Sequence, residues 1–155
     1  MSYTSNSLDI INALKETIKD DEFESKILNI AKEIERNTDR GKITAIFGNG
    51  GSAADAQHFA AELVCTYKDR NRKPYKAIAL TTDTSIITAW ANDFNYDTIF
   101  KRQIEAFDET IGFLIGLSTS GQSKNVINAL NSFKDKDITT CLICGENEID
   151  YKDIN

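Results

Sequence analysis

Apolar residues recur at two different spacings along this chain, and the change of spacing predicts its secondary structure. Before residue 40 they recur every three or four positions, as on one face of an amphipathic helix, in two successive stretches. After that point, short apolar runs alternate with further helical patterns. The runs cover residues 43–47, 77–80, 112–117 and 139–143. Strands that alternate with helices predict a parallel sheet with helices on both faces.

This order of elements predicts an α/β protein with a three-layer, doubly wound parallel sheet. We expect one domain over residues 1–155, with two N-terminal helices in 1–40, the α/β core in 41–145 and an acidic tail in 146–155. The two N-terminal helices carry apolar faces and precede the first strand. Such faces need a partner surface, so they predict a homo-oligomer.

Composition and charge exclude several classes of function. The net charge of -6 argues against nucleic acid as a general partner. No apolar run is long enough to cross a bilayer, and the N-terminal residues lack the order of a signal peptide. Three cysteines, an odd number, fit a cytoplasmic protein. Cys141 and Cys144 have C-x-x-C spacing but lie in or at the end of a strand, so we interpret them, and Cys65, as small core residues.

A glycine turn joins the first strand to the next helix. Gly48, Gly50 and Gly51 permit a sharp turn, and Ser52 is expected to cap the helix. The free N–H groups of a helix start favour an anion. The same residues match the loose dinucleotide pattern G-x-G-x-x-A, but that pattern also expects an acidic residue about 20 positions further on. Here the next strand ends near Asp83, well beyond that distance, which disfavours a nicotinamide enzyme.

A second turn, at residues 118–123, carries four hydroxyl groups after the most apolar strand. Hydroxyls and turn N–H groups can bind phosphate oxygens without a cationic side chain. One such turn alone is an ordinary serine-rich helix start. Two ligand-type turns, each after a buried strand, favour a phosphorylated small molecule. The loop at 67–76 holds five basic residues, and we interpret it as a solvated connection in preference to a phosphate contact.

His58 and Glu62 lie four positions apart on the helix that follows the glycine turn, so they share a face. His58 is the only histidine. It could be a core residue or an exposed partner of Glu62. Because His58 follows a ligand-type turn, we interpret it instead as a metal ligand. Glu62 is then a second ligand or a general base.

Several short segments together resemble the phosphoheptose isomerases, a family of the sugar isomerase (SIS) fold. The segments are residues 48–52, 58–62, 82–85, 92–94, 102–106 and 118–121. The resemblance extends from the N-terminal helices to about Gly145. It implies a homotetramer that binds a phosphorylated seven-carbon sugar. The implied reaction converts sedoheptulose 7-phosphate to D-glycero-D-manno-heptose 7-phosphate for lipopolysaccharide or capsule.

The resemblance also implies roles for individual positions. Glu62 corresponds to the catalytic glutamate, and His58 and Glu62 correspond to two ligands of one zinc ion. The remaining positions correspond to residues that bind substrate, and they are Asn49, Gly50, Gly51, Ser52, Asn92, Asp93, Ser118, Thr119, Ser120 and Ser123.

The sequence departs from this family after Gly145. Relatives continue into a further strand and a helix with a glutamine and a histidine, which complete the metal site and supply the second acid/base. This sequence has neither that helix nor a second histidine. His58 and Glu62 favour an isomerase. The alternative is a non-catalytic SIS sensor or adaptor that binds sugar phosphate, or an inactive truncated isomerase.

Overall fold

A computed structural model describes residues 3–145, so the predicted acidic tail at 146–155 lies outside the described residues. The chain divides into two compact units, residues 1–33 and 34–155. Compactness alone does not define a domain, so a single domain over 1–155 stays a prediction. Within the described residues, no helix is both long and apolar enough to cross a membrane.

The first unit contains helix α1 (Tyr3–Ile18) and the start of helix α2 (Asp21–Asp39). The first turn of α2 is acidic, which suits the positive end of the helix dipole. Asp20 precedes that turn, and its Oδ1 accepts a hydrogen bond from the Glu22 N–H at 2.9 Å. The spacing of the apolar residues predicted two helices before residue 40, and the structure confirms both. Leu14 and Ile18 of α1 are exposed, at 57% and 81%.

The second unit is built on one parallel sheet of four strands. They are β1 (Ile43–Gly48), β2 (Ala77–Ala79), β3 (Ile111–Ser118) and β4 (Thr139–Cys144). Their order in the sheet is β2-β1-β3-β4, and all neighbours are parallel. Each strand agrees with its predicted apolar run to within one residue at either end. Strands β1 and β3 are buried almost throughout, as expected of the central strands of a parallel sheet.

Four helices flank this sheet. They are α3 (Gly51–Val64), α4 (Thr84–Asp93), α5 (Ile99–Glu105) and α6 (Lys124–Phe133). Ala45 and Phe47 of β1 share one buried apolar cluster with the inward residues of α5 and α6. Successive residues of a strand face opposite sides, so Ile46 and Gly48 face the other layer. That layer contains α3, because a Cβ built on Gly48 would lie 2.8 Å from the Ser52 Cβ. The structure thus confirms the three-layer α/β arrangement.

The chain changes direction across the sheet between β1 and β3. From β1 it passes through α3 to β2 on one side, and it then returns to β3 on the other side. Gly48 pairs in register with Leu117, so the chain leaves β1 and β3 side by side. In doubly wound sheets this point, at the carboxyl ends of the strands, is where ligands bind. The glycine turn follows the end of β1 and the hydroxyl turn follows the end of β3, so both lie at this point.

Two local predictions were wrong. Helix α3 begins at Gly51, and its N-cap is Gly50 with no side-chain capping bond, so Ser52 lies inside the first turn. Gly50 has φ 55°, a left-handed conformation that glycine adopts without strain, and this allows the helix to start earlier. Cys65 is exposed instead of buried, because it follows the last residue of α3 where the chain turns into a surface loop.

Candidate active site

A cavity of about 760 Å³ lies at the carboxyl ends of the strands in the second unit. One side is α3, another is the loop after it, and the floor is formed by the ends of β3 and β4. This volume suits a small organic ligand. Five residues predicted from the sequence line it, namely Ser52, His58, Glu62, Ser118 and Thr119. Residues that were not predicted also line it, among them Asp55, Phe59, Tyr67, Arg72 and Tyr75.

The hydroxyl turn is held in a fixed shape by its own hydrogen bonds. The Ser118 and Ser123 Oγ atoms are 3.0 Å apart, and Ser118 Oγ also accepts from the Ser123 N–H at 3.3 Å. The Gly121 N–H donates to the Ser118 carbonyl at 2.8 Å. Ser118 is buried, whereas Thr119 and Ser120 are exposed. The turn therefore presents hydroxyls on a preformed backbone, as a phosphate cradle requires.

The glycine turn is tied to the start of α6. The side-chain amides of Asn49 and Asn125 exchange two hydrogen bonds, each of 2.8 Å. Tyr96 Oη donates a third bond, of 2.9 Å, to Asn49 Oδ1. The sequence analysis missed Asn125 and Tyr96, because a lone asparagine or tyrosine carries no local signal for a partner so far along the chain.

His58 and Glu62 lie on one face of α3, as the spacing predicts, and both face the cavity. His58 Nε2 is 3.9 Å from Glu62 Oε1. The His58 side chain is 78% exposed and that of Glu62 is 38% exposed. Both side chains can therefore reach a ligand in the cavity, and Glu62 is the more sheltered of the two. A carboxylate in this position can accept a proton from a bound molecule.

The zinc ion implied by the resemblance needs more donors than these two. Structural and catalytic zinc sites use three or four protein ligands of the nitrogen, sulfur or oxygen type. Among residues 3–145 there is no cluster of three or more histidine, cysteine, aspartate or glutamate side chains that could hold a metal. His58 and Glu62 alone do not complete a zinc site, so we derive no reaction step through zinc.

Arg72 fixes the end of α3 beneath the cavity. Its guanidinium donates to the carbonyls of Glu62 and Cys65 at 2.9 Å and to that of Leu63 at 3.0 Å. A fourth bond, of 2.9 Å, goes to the Lys73 carbonyl. The last carbonyls of a helix lack partners within the helix, and a cation there also meets the negative end of the dipole. All four terminal-nitrogen bonds of Arg72 are thus made to backbone. Tyr67, Arg72 and Tyr75 of this loop nevertheless line the cavity, so the interpretation of the loop as a solvated connection stays a prediction.

The other predicted positions lie around the cavity without lining it. Gly50 and Gly51 form the turn into α3. Ser120 and Ser123 belong to the hydroxyl turn. Asn92 and Asp93 are the last residues of α4, where they are exposed and hydrogen-bonded to each other at 2.9 Å. Asn92 and Asp93 are not among the residues that line the cavity, and their binding role stays a prediction.

Cys141 and Cys144 both lie on β4, and Cys144 reaches the cavity. Burial, with a smaller contribution from the neighbouring Cys144, raises the pKa of the Cys141 thiol to about 11. A raised pKa suppresses the thiolate that redox chemistry needs. Cys141 is therefore a poor redox thiol. Both cysteines are only partly buried and Cys144 lines the cavity, so the interpretation of the two as small core residues was only partly right.

Comparisons with known proteins place this fold and these residues in context. The family model described as the SIS domain matches residues 2–145. A probable phosphoheptose isomerase from Thermoplasma acidophilum is 53% identical over 109 residues, which is 70% of this chain and 59% of that protein. A phosphoheptose isomerase from Aquifex aeolicus is 48% identical over 125 residues, or 81% of this chain and 65% of that protein. The chain thus spans less than two thirds of the length of these two relatives.

Solved structures give the same picture. The structure of a phosphoheptose isomerase from Neisseria gonorrhoeae superposes with a TM-score of 0.76 at 37% identity, covering 93% of this chain and 73% of that one. A phosphoheptose isomerase from Francisella tularensis gives a TM-score of 0.70 at 30% identity, covering 91% and 76%. Both the order of the elements and the sequence are therefore similar to those of these proteins.

Proposed function

This chain belongs to the SIS-domain family, among the phosphoheptose isomerases, and we propose that it interconverts sedoheptulose 7-phosphate and D-glycero-D-manno-heptose 7-phosphate. The observation that carries the proposal is the placement of Glu62 and the hydroxyl turn on one cavity. A preformed cradle for a phosphate and a carboxylate for proton transfer are two of the elements that isomerisation of a sugar phosphate requires. The use of the product in lipopolysaccharide or capsule is part of the same proposal.

The proposed chemistry follows from the atoms at hand. Hydroxyls and N–H groups of residues 118–123 bind the phosphate and hold the sugar chain in place. The Glu62 carboxylate removes a proton from C1 of the ketose, and the electron pair of that C–H bond forms the C1–C2 double bond of an enediolate. The π electrons of the C2 carbonyl move to O2 in the same step. Protonated Glu62 then returns its proton to C2, the O1 proton is transferred to O2, and a C1–O1 double bond replaces the C1–C2 double bond, which gives the aldose. A zinc ion held by His58, Glu62 and further ligands would polarise the sugar oxygens, and none of the steps above depends on it.

The test measures conversion of sedoheptulose 7-phosphate by NMR with the wild-type protein and with Glu62→Gln. Glutamine keeps the shape of the side chain but cannot accept the proton, so we expect the rate to fall by about 10²–10⁴-fold. Glu105→Gln is the matched control, because the Glu105 side chain is similarly exposed, at 40%, and lies outside the cavity lining. It should keep the wild-type rate. Equal rates for Glu62→Gln and wild type would show that Glu62 is not the base.

Binding without turnover is the second candidate function. The observation that favours it is the incomplete donor set for zinc, since residues 3–145 hold no cluster of three or more histidine, cysteine, aspartate or glutamate side chains that could bind a metal. Calorimetric titration with sedoheptulose 7-phosphate separates the two. Heat of binding without conversion supports a sensor or adaptor, and binding with conversion supports the isomerase.

A further inference from the structure

The hydrogen bonds around Asn49 fix which way its side-chain amide points. The starting point is the backbone N–H of Val126, which can only donate. It donates to the Ser123 carbonyl at 3.0 Å and to Asn125 Oδ1 at 2.9 Å. Two N–H donors would repel each other at 2.9 Å, so the atom of Asn125 at that place is the oxygen. The same oxygen accepts from Asn49 Nδ2 at 2.8 Å, which uses its second lone pair.

The orientation of the Asn125 amide in turn fixes that of the Asn49 amide through the second hydrogen bond between them. Asn125 Nδ2 donates to Asn49 Oδ1 at 2.8 Å, and Tyr96 Oη donates to the same oxygen at 2.9 Å. Both lone pairs of Asn49 Oδ1 are therefore occupied. Among residues 3–145, one N–H of the Asn49 amide takes no part in this network, and it is left to donate to a ligand.

We propose that Asn125 is a positioning residue that, together with Tyr96, holds Asn49 as a hydrogen-bond donor toward the ligand. Asn49 then recognises an oxygen that accepts, such as a carbonyl, phosphate or hydroxyl lone pair of the sugar phosphate. It does not recognise the proton of a hydroxyl group. This inference rests on the proposed function, because Asn49 does not itself line the cavity and its contact with the sugar phosphate is part of that proposal.

Asn125 is placed for this role by burial as well as by geometry. Its side chain is only 2% exposed, whereas Tyr96 is 51% exposed. It is also the second residue of α6, directly after the hydroxyl turn. Losing one partner of a buried amide pair leaves the other without its bonds, which costs more than an exposed hydrogen bond is worth. Asn125 thus links the orientation of the glycine turn to the start of the helix that follows the phosphate cradle.

The first measurement needs no ligand and no activity. In ¹⁵N-labelled full-length protein, the side-chain amide of Asn49 gives two proton signals, which Asn49→Ala identifies by their loss. Asn125→Ala should shift both signals and speed their exchange with water, because the amide is then free to turn. Asn128→Ala is the control, since Asn128 also donates an amide bond from α6, at 3.1 Å, but to the Asp97 carbonyl. Unchanged Asn49 signals in Asn125→Ala would overturn the inference.

The second measurement is a double-mutant cycle on the KM and kcat for sedoheptulose 7-phosphate. If Asn125 acts through Asn49, then Asn125→Ala and Asn49→Ala should each raise KM about tenfold, and the double variant should do no worse than either one. Effects that multiply to about a hundredfold would mean that Asn125 acts independently, as a purely structural residue would. Asn128→Ala should keep the wild-type KM.

A variant that fails to fold would leave the cycle without an answer, so a second substitution accompanies it. Asn125→Asp keeps the oxygen that Val126 and Asn49 Nδ2 require, and it replaces the donor to Asn49 Oδ1 by a charged oxygen that repels it. It should raise KM with the far-UV circular dichroism spectrum unchanged, and an unaltered KM would contradict the inference. If the wild-type protein neither binds nor converts the sugar, the proposed function fails. The NMR experiment still decides whether Asn125 orients Asn49.

Discussion

At the scale of single residues, Cys141 makes stability depend on alkaline pH. Its pKa is about 11 in the folded protein and near the ordinary value of 9.0 in an unfolded chain. Because the folded-state pKa is raised, the protonated thiol favours the folded state. This contribution to the free energy of unfolding is complete below about pH 9 and is lost as the pH rises toward about 11. We expect a loss of about 2 kcal/mol in the free energy of unfolding across this range from this group.

Urea unfolding of wild type and Cys141→Ala across that pH range checks the expectation. The wild-type free energy of unfolding should fall more steeply with pH than that of the variant. Cys65→Ala is the control, because Cys65 is exposed and its removal should leave the wild-type slope. Parallel curves for Cys141→Ala and wild type would show that the thiol is not linked to folding.

Sequence reasoning at this scale found the residues whose chemistry is visible in a short motif. His58, Glu62, Ser118 and Thr119 all line the cavity as predicted. It missed Asn125, because an asparagine gives no sign of its partner until the fold brings Asn49 to it. It also placed a cap at Ser52, because it weighed the serine side chain and not the left-handed conformation of Gly50.

At the scale of elements, the end of α3 depends on one arginine. Arg72→Ala removes four charged hydrogen bonds to backbone carbonyls. Because these carbonyls have few other partners, we expect a loss of about 1–3 kcal/mol in the free energy of unfolding and a lower kcat, as the turn that carries Glu62 loosens. Arg72→Lys should recover only part of both, since an ammonium cannot reproduce the planar fork.

The matched control is Arg70→Ala, which removes an exposed positive charge from the same loop. Chemical denaturation and initial-rate kinetics of the three variants are the measurements. Equal stability and equal activity of Arg72→Ala and Arg70→Ala would contradict the prediction. This contact was beyond sequence reasoning, because five basic residues in a loop look alike until one of them meets the helix end.

The elements themselves were largely predictable from spacing. Buried parallel strands are apolar on both faces and therefore read as continuous runs, so the four strands were found nearly to the residue. The glycine and hydroxyl turns were predicted to follow neighbouring strands, and the register of Gly48 with Leu117 confirms that they do. The spacing could not give the order of strands in the sheet, which long-range packing decides.

At the scale of the whole molecule, the apolar face of α1 bears on the predicted homotetramer. Leu14 and Ile18 remain exposed in the single chain. If this face forms a subunit contact, Leu14→Asp with Ile18→Asp should convert the tetramer to smaller species, since burying each side chain is worth about 1.5–3 kcal/mol. Sedimentation equilibrium measures the masses, with the exposed Asn12→Asp as control. A wild-type monomer, or a tetramer unaffected by the paired substitution, would contradict the prediction.

If the proposed sugar phosphate is held by both the glycine turn and the hydroxyl turn, the bond between Asn49 and Asn125 determines how far that ligand protects the protein in a cell. Asn49 and Asn125 are 76 positions apart, so a ligand held by both turns binds only when the intervening chain is closed. Such a ligand stabilises the closed form by mass action, about 2.7 kcal/mol at a concentration 100 times its Kd. Proteases cleave chains that have opened. The supply of sugar phosphate would therefore regulate the turnover of the protein, so that its abundance rises and falls with its ligand.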